Sequence, residues 1–185
     1  GLEPLAMDIF NCKVDDPAKC AQRYLNDQVE DSDAALQGAR DIIAEWISES
    51  IEVRTALRTQ YSKYGKVSAK VARGVDEESD EAQKYKNYFD FSEDISRAPS
   101  HRVLAILRGA SEGILSVKVE VDSDRSLDRI YSLALKGKRN PSDKVAEQID
   151  IAVEDSYKRL LHPSIENESL KIVKERADIE SIKVF

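Results

Sequence analysis

Residues 99–121 read PSHRVLAILRGASEGILSVKVEV, and their hydrophobic spacing changes halfway along the segment. Ser100 can cap the start of a helix, and the apolar residues that follow within 103–107 form a band on one helical face. Gly109 supplies the left-handed position at which helices commonly end. Residues 115–121 then alternate between apolar and polar side chains, which is the two-residue period of a half-buried strand. This segment therefore predicts a helix that passes directly into a β-strand.

A second strand is predicted immediately after Gly65. Residues 66–72 alternate in a similar way, with Val67, Ala69 and Val71 on one side. The two segments, about 66–72 and 114–121, would pair into one small two-stranded β element, which needs helices over one face because two strands alone are marginally stable. Most other apolar residues recur at helical spacing. The predicted fold is mostly α, an irregular multihelical array with this single β element.

The last third of the chain carries two amphipathic segments that predict a long helical stem. Pro163 is expected to stop the first of them, since proline interrupts a helix interior. In the second, Ile165, Ile172 and Ile179 recur every seven residues, and we expect this stripe to face inward.

Two parts of the chain are predicted, an N-terminal helical part (1–64) and a central helical part with the β element (65–185). The opening residues 1–6 start abruptly, and the final residues 182–185 are still apolar. We therefore expect the chain to be an excised fragment of a longer protein.

The composition fits a folded protein with a heavily charged surface. Of the 185 residues, 41% are apolar and 34% are charged, which is enough apolar material for a substantial core. No apolar run is long enough for a membrane span, and the N-terminus lacks the features of a signal peptide, so we expect a cytoplasmic location and no membrane partner. The net charge of −7 argues against this segment being a main phosphate-binding surface.

The two cysteines do not predict a metal centre. Cys12 and Cys20 are close in sequence and could be linked, but a reducing compartment favours free thiols. A zinc site would need further ligands nearby, and His101 and His162 are remote in sequence. We expect neither a metal nor a cofactor.

His101 is the first candidate for catalysis, as a general base beside Ser100 as nucleophile and Glu112 or Asp94 as orienting acid. Adjacent residues at a helix start point about 100° apart, which disfavours that geometry. The local sequence also shows neither a nucleophile elbow nor an oxyanion-forming glycine cluster. The simpler interpretation is that His101 braces the first helical turn, and we expect no enzymatic activity and no small-molecule substrate.

Basic residues give the candidate sites. If the two predicted strands pair, Lys66, Lys70 and Lys118 share one solvent face and could form a phosphate-facing ridge. Two other basic clusters are residues 97–108 and 136–139, and the candidate nucleic-acid-binding residues are Lys66, Lys70, Lys118, Arg97, Arg102 and Arg108. The alternative is that these cations neutralise the acidic excess. Arg102 and Arg108 could instead form ion pairs with Asp90, Glu93, Asp94 or Glu112.

Three ordered motifs give the chain a family resemblance. The central motif comprises residues 99–102 (PSHR), Arg108, Gly109, Glu112 and Gly113 before a hydrophobic strand. The others are residues 88–93 (YFDFSE) and residues 160–166 (LLHPSIE). Together they resemble the bacterial Tex family of transcription accessory proteins. Family members are several-fold longer, with a ribonuclease-H-like domain, a helix-hairpin-helix segment and a C-terminal oligonucleotide-binding barrel, and none of these has a counterpart in this chain.

The resemblance implies nucleic-acid binding and a link to transcription. Within such a protein this piece would be a non-catalytic helical scaffold that positions neighbouring domains and adds weak contacts to the RNA or DNA backbone. RNA or DNA would be bound through the full-length parent, and RNA polymerase or transcription factors are further expected partners. The alternative is a protein-interaction module that contacts the transcription machinery without touching nucleic acid.

Overall fold

The structure is a computed structural model, and it describes residues 1–183. The prediction of a mostly α fold is confirmed, because helices account for most of the described chain. The apolar end at Val184 and Phe185, which contributed to the expectation of a longer parent, lies outside the described residues. The helices are α1 (Glu3–Phe10), α2 (Pro17–Ala21), α3 (Ser32–Glu49), α4 (Ile51–Tyr64), α5 (Asp80–Gln83), α6 (Ser100–Ser111), α7 (Ser123–Leu135), α8 (Asp143–Asp155) and α9 (His162–Lys183).

Within residues 1–183 the sheet has three antiparallel strands rather than the predicted two. The strands are β1 (Lys66–Val71), β2 (Asp90–Asp94) and β3 (Leu115–Glu120), in the order β2-β1-β3. The predicted pairing of β1 with β3 is present. The second strand was missed because its sequence, DFSED, is short, acidic and carries only one apolar residue, which is an unusual composition for a strand.

The compact parts of the fold are discontinuous in sequence. The first unit contains Gly1–Ala56 and Ser123–Pro163, and the second contains Leu57–Asp122 and the described residues from Ser164 onward. The sequence analysis predicted two contiguous parts, 1–64 and 65–185. These parts are not the same kind of division as the discontinuous units, and their boundary stays a prediction.

The first unit is helical, and α3 lies at its centre. This helix packs against α1, α2 and α8, and α7 packs against α8. Asp31 caps α3 by accepting a hydrogen bond from the Ala34 amide at 2.8 Å. The core is made of side chains that are fully or almost fully buried, among them Leu5, Ile9, Ala39, Ile43, Ile47, Ile130, Val145, Ile149 and Leu161.

The second unit is built around the sheet. Helix α6 packs on β3, and the side chains of Val67, Val103, Ile106, Leu115 and Val119 are buried. The carboxylate of Glu166, on α9, accepts a hydrogen bond from the Val119 amide at 3.0 Å. A residue of α9 therefore supplies an acceptor for an amide that the β1–β3 ladder leaves unpaired.

The sequence predicted that α6 ends at Gly109, and this prediction is wrong. The helix continues to Ser111, and Gly113, with φ of +78°, occupies the left-handed position instead. Gly109 is buried in the helix interior, where a Cβ atom would lie 2.6 Å from Leu115 Cδ1. The glycine is needed because it allows α6 to lie close to β3.

Pro163 does not stop a helix. Helix α8 is followed by a π-helical turn (Ser156–Leu161) and then by α9, in which Pro163 is the second residue. A proline that follows a helical turn lacks the amide for the usual backbone hydrogen bond and crowds the carbonyl of that turn, and here the turn immediately before it is the widened π turn. The expected long helical stem is therefore present as continuous helical structure from Asp143 to Lys183.

The predicted inward stripe on α9 is wrong for two of its three isoleucines. Ile165 is fully buried, but Ile172 is 60% exposed and Ile179 is 55% exposed. The buried residues of α9 are Ile165, Ser169, Val173 and Ala177. Four-residue steps advance by about 40° around a helix, so the buried line winds around α9 and leaves the seven-residue row outside.

Candidate nucleic-acid interface

The lysines Lys66, Lys70 and Lys118 lie on one exposed face of the sheet. Lys66 and Lys70 are exposed residues of β1 that point to the same side because strand residues alternate. Lys118 of β3 is paired with Ser68, which lies between them. The register therefore brings together the three lysines for which the sequence predicted a shared face.

The same face carries three carboxylates that the sequence analysis did not place there. Lys66 is paired with Asp94 on one side and with Glu120 on the other, and Lys70 is paired with Asp90. Three lysines and three carboxylates give this face a net charge of zero. Two of the acids belong to β2, so they were missed together with that strand.

None of the three lysines forms an ion pair or a hydrogen bond through its side chain with another described residue. Asp94 and Glu120 lie directly opposite Lys66, and Asp90 lies directly opposite Lys70, but a flexible lysine stem can turn away from them. The ammonium groups are therefore available to a ligand, in a field that the nearby carboxylates weaken.

The arginines of the second basic cluster do not converge on one surface. Arg102 of α6 forms an ion pair with Glu93 of β2, one of the pairs that the sequence analysis considered. Arg108 lies six residues further along α6, which is about 120° away around the helix. Arg97 is exposed in the turn after β2, where its amide donates to the carbonyl of Asp94 at 3.0 Å.

Glu112 accepts a hydrogen bond from a tyrosine and does not form an ion pair with Arg108. The Tyr85 hydroxyl donates to Glu112 Oε2 at 2.5 Å, and Tyr85 is a buried residue. This hydrogen bond is the main cause of the raised pKa of Tyr85, and burial of the hydroxyl also raises it. The positive charge of Arg108 lowers the pKa. Arg108 therefore remains exposed at the edge of a polar contact that holds the segment before β2 to the end of α6.

The third basic cluster has a structural role at the end of α1 in the first unit. Lys138 Nζ donates to the Phe10 carbonyl at 2.5 Å and lies 3.4 Å from the centre of the Phe10 ring. Arg139 donates to the Cys12 carbonyl, and Lys136 forms an ion pair with Glu52 at 2.9 Å. Burial lowers the pKa of Lys138. Cations suit this position because the carbonyls at a helix C-terminus carry partial negative charge.

Ser100 and His101 are not joined as a nucleophile and base. His101 is exposed in the first turn of α6, and the Ser100 hydroxyl hydrogen-bonds to Glu180. His162, the other histidine, lies beside the Tyr157 ring with 5.6 Å between ring centres. The absence of enzymatic activity remains a prediction.

Two further properties concern the described residues 1–183 only. Within them, no group of three or more histidine, cysteine, aspartate or glutamate side chains is placed to hold a metal ion. Over the same residues, no helix combines the length and apolar character that crossing a bilayer requires.

An apolar groove in the second unit was also missed by the sequence analysis. It is a small groove lined by Ile95, Ile172 and Val173, with Arg58, Glu168 and Arg176 at its polar side. Arg58 forms an ion pair with Glu168 at 2.6 Å, and Arg176 donates to the Ile95 carbonyl at 2.9 Å. The exposed isoleucine row of α9, which we define as Ile172, Ile179 and Ile182, includes a residue of this groove. The groove could not be predicted because the seven-residue pattern assigned those isoleucines to the core.

Comparison with known proteins identifies the family. Residues 13–185 match a family model described as Tex central region-like. The uncharacterized protein YdcI of Bacillus subtilis is 37% identical over 188 residues, which cover all of this chain and 26% of the relative. The transcriptional accessory protein Tex of Neisseria gonorrhoeae is 32% identical over 188 residues, covering all of this chain and 24% of that protein. The protein YhgF of Escherichia coli is 32% identical, and the alignment covers 25% of its length.

This chain thus spans about a quarter of the length of the curated relatives that it matches. The family match covers most of the described chain, including the sheet, α6 and the whole of α9. The chain therefore belongs to the Tex family, in which it corresponds to the central region.

Proposed function

We propose that this region is a non-catalytic helical scaffold within a nucleic-acid-binding transcription accessory protein. It positions neighbouring domains and adds weak contacts to the RNA or DNA backbone. The observation that carries the proposal is the match of the chain to the Tex central region, together with the name of a relative as a transcriptional accessory protein. A role in transcription also favours the cytoplasm as its location, and the proposal includes neither a cofactor nor a small-molecule substrate.

Most charged side chains with a defined partner support a structural role. In the second unit, Arg58 is paired with Glu168, Arg102 with Glu93, and Arg176 with the Ile95 carbonyl. The first two contacts each join two different elements, and the third joins α9 to the turn after β2, so they favour a fixed arrangement of the unit. Exposed ion pairs contribute little singly, and the buried apolar side chains supply most of the stability.

The charge distribution favours weak rather than strong nucleic-acid binding. Phosphate contacts dominate the affinity of proteins for nucleic acids, and the chain carries a net charge of −7. Lys66, Lys70 and Lys118 are unpaired but share their face with three carboxylates. Contacts from this face would thus assist binding that other regions of a longer protein provide.

An anisotropy titration of the 185-residue chain with labelled RNA and DNA at low salt tests the contact. We expect weak, salt-dependent binding that is lost when Lys66, Lys70 and Lys118 are all changed to Glu. Binding that the triple variant retains would remove these lysines from the proposal. A nuclease or hydrolase activity of the pure chain that His101→Ala abolishes would overturn the non-catalytic role.

A second candidate function is a protein-interaction module that contacts the transcription machinery without touching nucleic acid. The observation that favours it is the exposed isoleucine row, in which Ile182 is 74% exposed, beside the apolar groove. Exposed apolar patches of this kind commonly mark protein-binding surfaces. Binding of purified RNA polymerase that Ile172→Asp with Ile179→Asp abolishes, and that the lysine variant retains, would favour this function.

A further inference from the structure

Ser68 lies at the centre of the exposed face of the sheet. Its neighbours across the strands are Lys118 and Ser92, and its neighbours along β1 are Lys66 and Lys70. These four polar residues surround Ser68 as the arms of a cross. The corners of the face are Asp90, Asp94, Glu120 and Ser116.

The arms of the cross lie closer to Ser68 than the corners do. Directly opposite residues of an antiparallel pair have Cβ atoms about 4.5–5.5 Å apart, whereas diagonal neighbours are about 7–8 Å apart. Residues two apart on one strand are separated by about 6.8 Å, and a flexible lysine stem can bring its ammonium group over the centre. The short side chains of Asp90 and Asp94 cannot do the same. Ammonium groups that turn toward the centre make it positive, although Asp90, Asp94 and Glu120, which lie directly opposite Lys70 and Lys66, weaken that charge.

Within the described residues, the hydroxyl of Ser68 is not used in a side-chain hydrogen bond. Ser68 is 6% exposed although its neighbours on this face are exposed, and its side chain forms no hydrogen bond with another described residue. The hydroxyl oxygen itself is not fully enclosed, so it can be reached from solvent. An acceptor placed above Ser68 would satisfy the hydroxyl and lie within reach of three unpaired ammonium groups.

We infer that Lys66, Ser68, Lys70 and Lys118 form a site for one phosphate group of a single-stranded nucleic acid. The inference rests on the proposed function, because the same chemistry would accept a phosphate from another source. Ammonium groups and hydroxyls are the usual donors to backbone phosphates. The corner carboxylates repel the phosphates on either side, so the strand must turn away from the sheet in both directions. A flexible single strand can do this, and a stiff duplex cannot.

Charge-neutralising changes at one or two positions test the site without reversing the charge of the whole face. Lys118→Gln should weaken the binding of a labelled single-stranded oligonucleotide to the 185-residue chain about fivefold, as expected for the loss of one charge-assisted contact. Lys171→Gln is the matched control, because Lys171 is an exposed, unpaired lysine of α9 in the same unit. It should leave the affinity unchanged. Asp90→Asn with Asp94→Asn should tighten binding by a similar factor.

Amide chemical shifts of the ¹⁵N-labelled chain locate the ligand and confirm that each variant is folded. Addition of the oligonucleotide, or of inorganic phosphate alone, should shift the amide signals of Ser68 and Lys118, and Ser68→Ala should reduce the shift. Oligonucleotide binding that Lys118→Gln and Lys171→Gln affect equally would overturn the site while leaving nucleic-acid contact by this region intact. The absence of any oligonucleotide binding would overturn both. Tighter binding of a phosphoserine peptide than of the oligonucleotide would overturn the choice of ligand.

Discussion

Gly109 and Leu115 approach so closely that a Cβ atom at residue 109 would lie 2.6 Å from Leu115 Cδ1 and 3.1 Å from Tyr85 Cδ1. Alanine is a better helix former than glycine by about 1 kcal/mol, so Gly109→Ala would stabilise an isolated α6. In the folded unit the extra methyl must displace buried side chains, which typically costs about 1–3 kcal/mol. We predict a net loss in the free energy of unfolding, measured by urea denaturation. A more stable Gly109→Ala variant would show that α6 and β3 are not in this close contact.

The hydrogen bond from Tyr85 to Glu112 makes stability depend on pH in the alkaline range. The raised pKa of Tyr85 means that folding favours its protonated form. The stabilisation is fully present below the pKa of the unfolded state, about 10, and is lost as the pH rises through the higher pKa of the folded state. We predict that wild type and Tyr85→Phe differ in free energy of unfolding at pH 8 and that the difference shrinks above pH 10. A constant difference across this range would contradict the hydrogen bond.

The isoleucines of α9 should differ sharply in their effect on stability. Ile165→Ala removes a fully buried side chain, and such changes typically cost about 2–5 kcal/mol. Ile172→Lys and Ile179→Lys alter exposed positions, where substitutions usually change stability by about 0.5 kcal/mol or less. Thermal or urea unfolding of the three variants measures the contrast. A large loss for Ile172→Lys would mean that the seven-residue stripe packs inward after all.

Lys138 should stabilise the first unit through the end of α1. Lys138→Met keeps most of the apolar stem but removes the hydrogen bond to the Phe10 carbonyl and the charge over the Phe10 ring. We predict a loss of about 1–2 kcal/mol in the free energy of unfolding. Lys13→Met, at an exposed and unpaired lysine, is the control and should have little effect. Equal effects of the two substitutions would contradict this role for Lys138.

Helices and strands whose residues follow a regular apolar spacing could be predicted from the sequence. The change of period between Ser100 and Glu120 predicts α6 and β3, and alternation after Gly65 predicts β1. These elements also place Lys66, Lys70 and Lys118 on one face, because the side of a strand follows from residue number alone.

Features that depend on distant partners could not be predicted in the same way. In strand β2, Glu93 lies on the face of the sheet opposite to Asp90 and Asp94. On that face it forms an ion pair with Arg102 of α6. No pattern within residues 90–94 contains that partner. The same limit applies to Gly109, whose role depends on Leu115, and to Ile172, whose exposure depends on where the contact line of α9 runs.

The dependence of oligonucleotide affinity on salt tests the central claim most directly. For single strands, the logarithm of Kd rises with the logarithm of salt concentration by about 0.7 for each phosphate that is neutralised. A scaffold region with one phosphate site should give a slope of about 0.7 with single-stranded RNA, and Lys118→Gln should lower it. A slope several times larger would show an extended phosphate-binding surface and contradict the account.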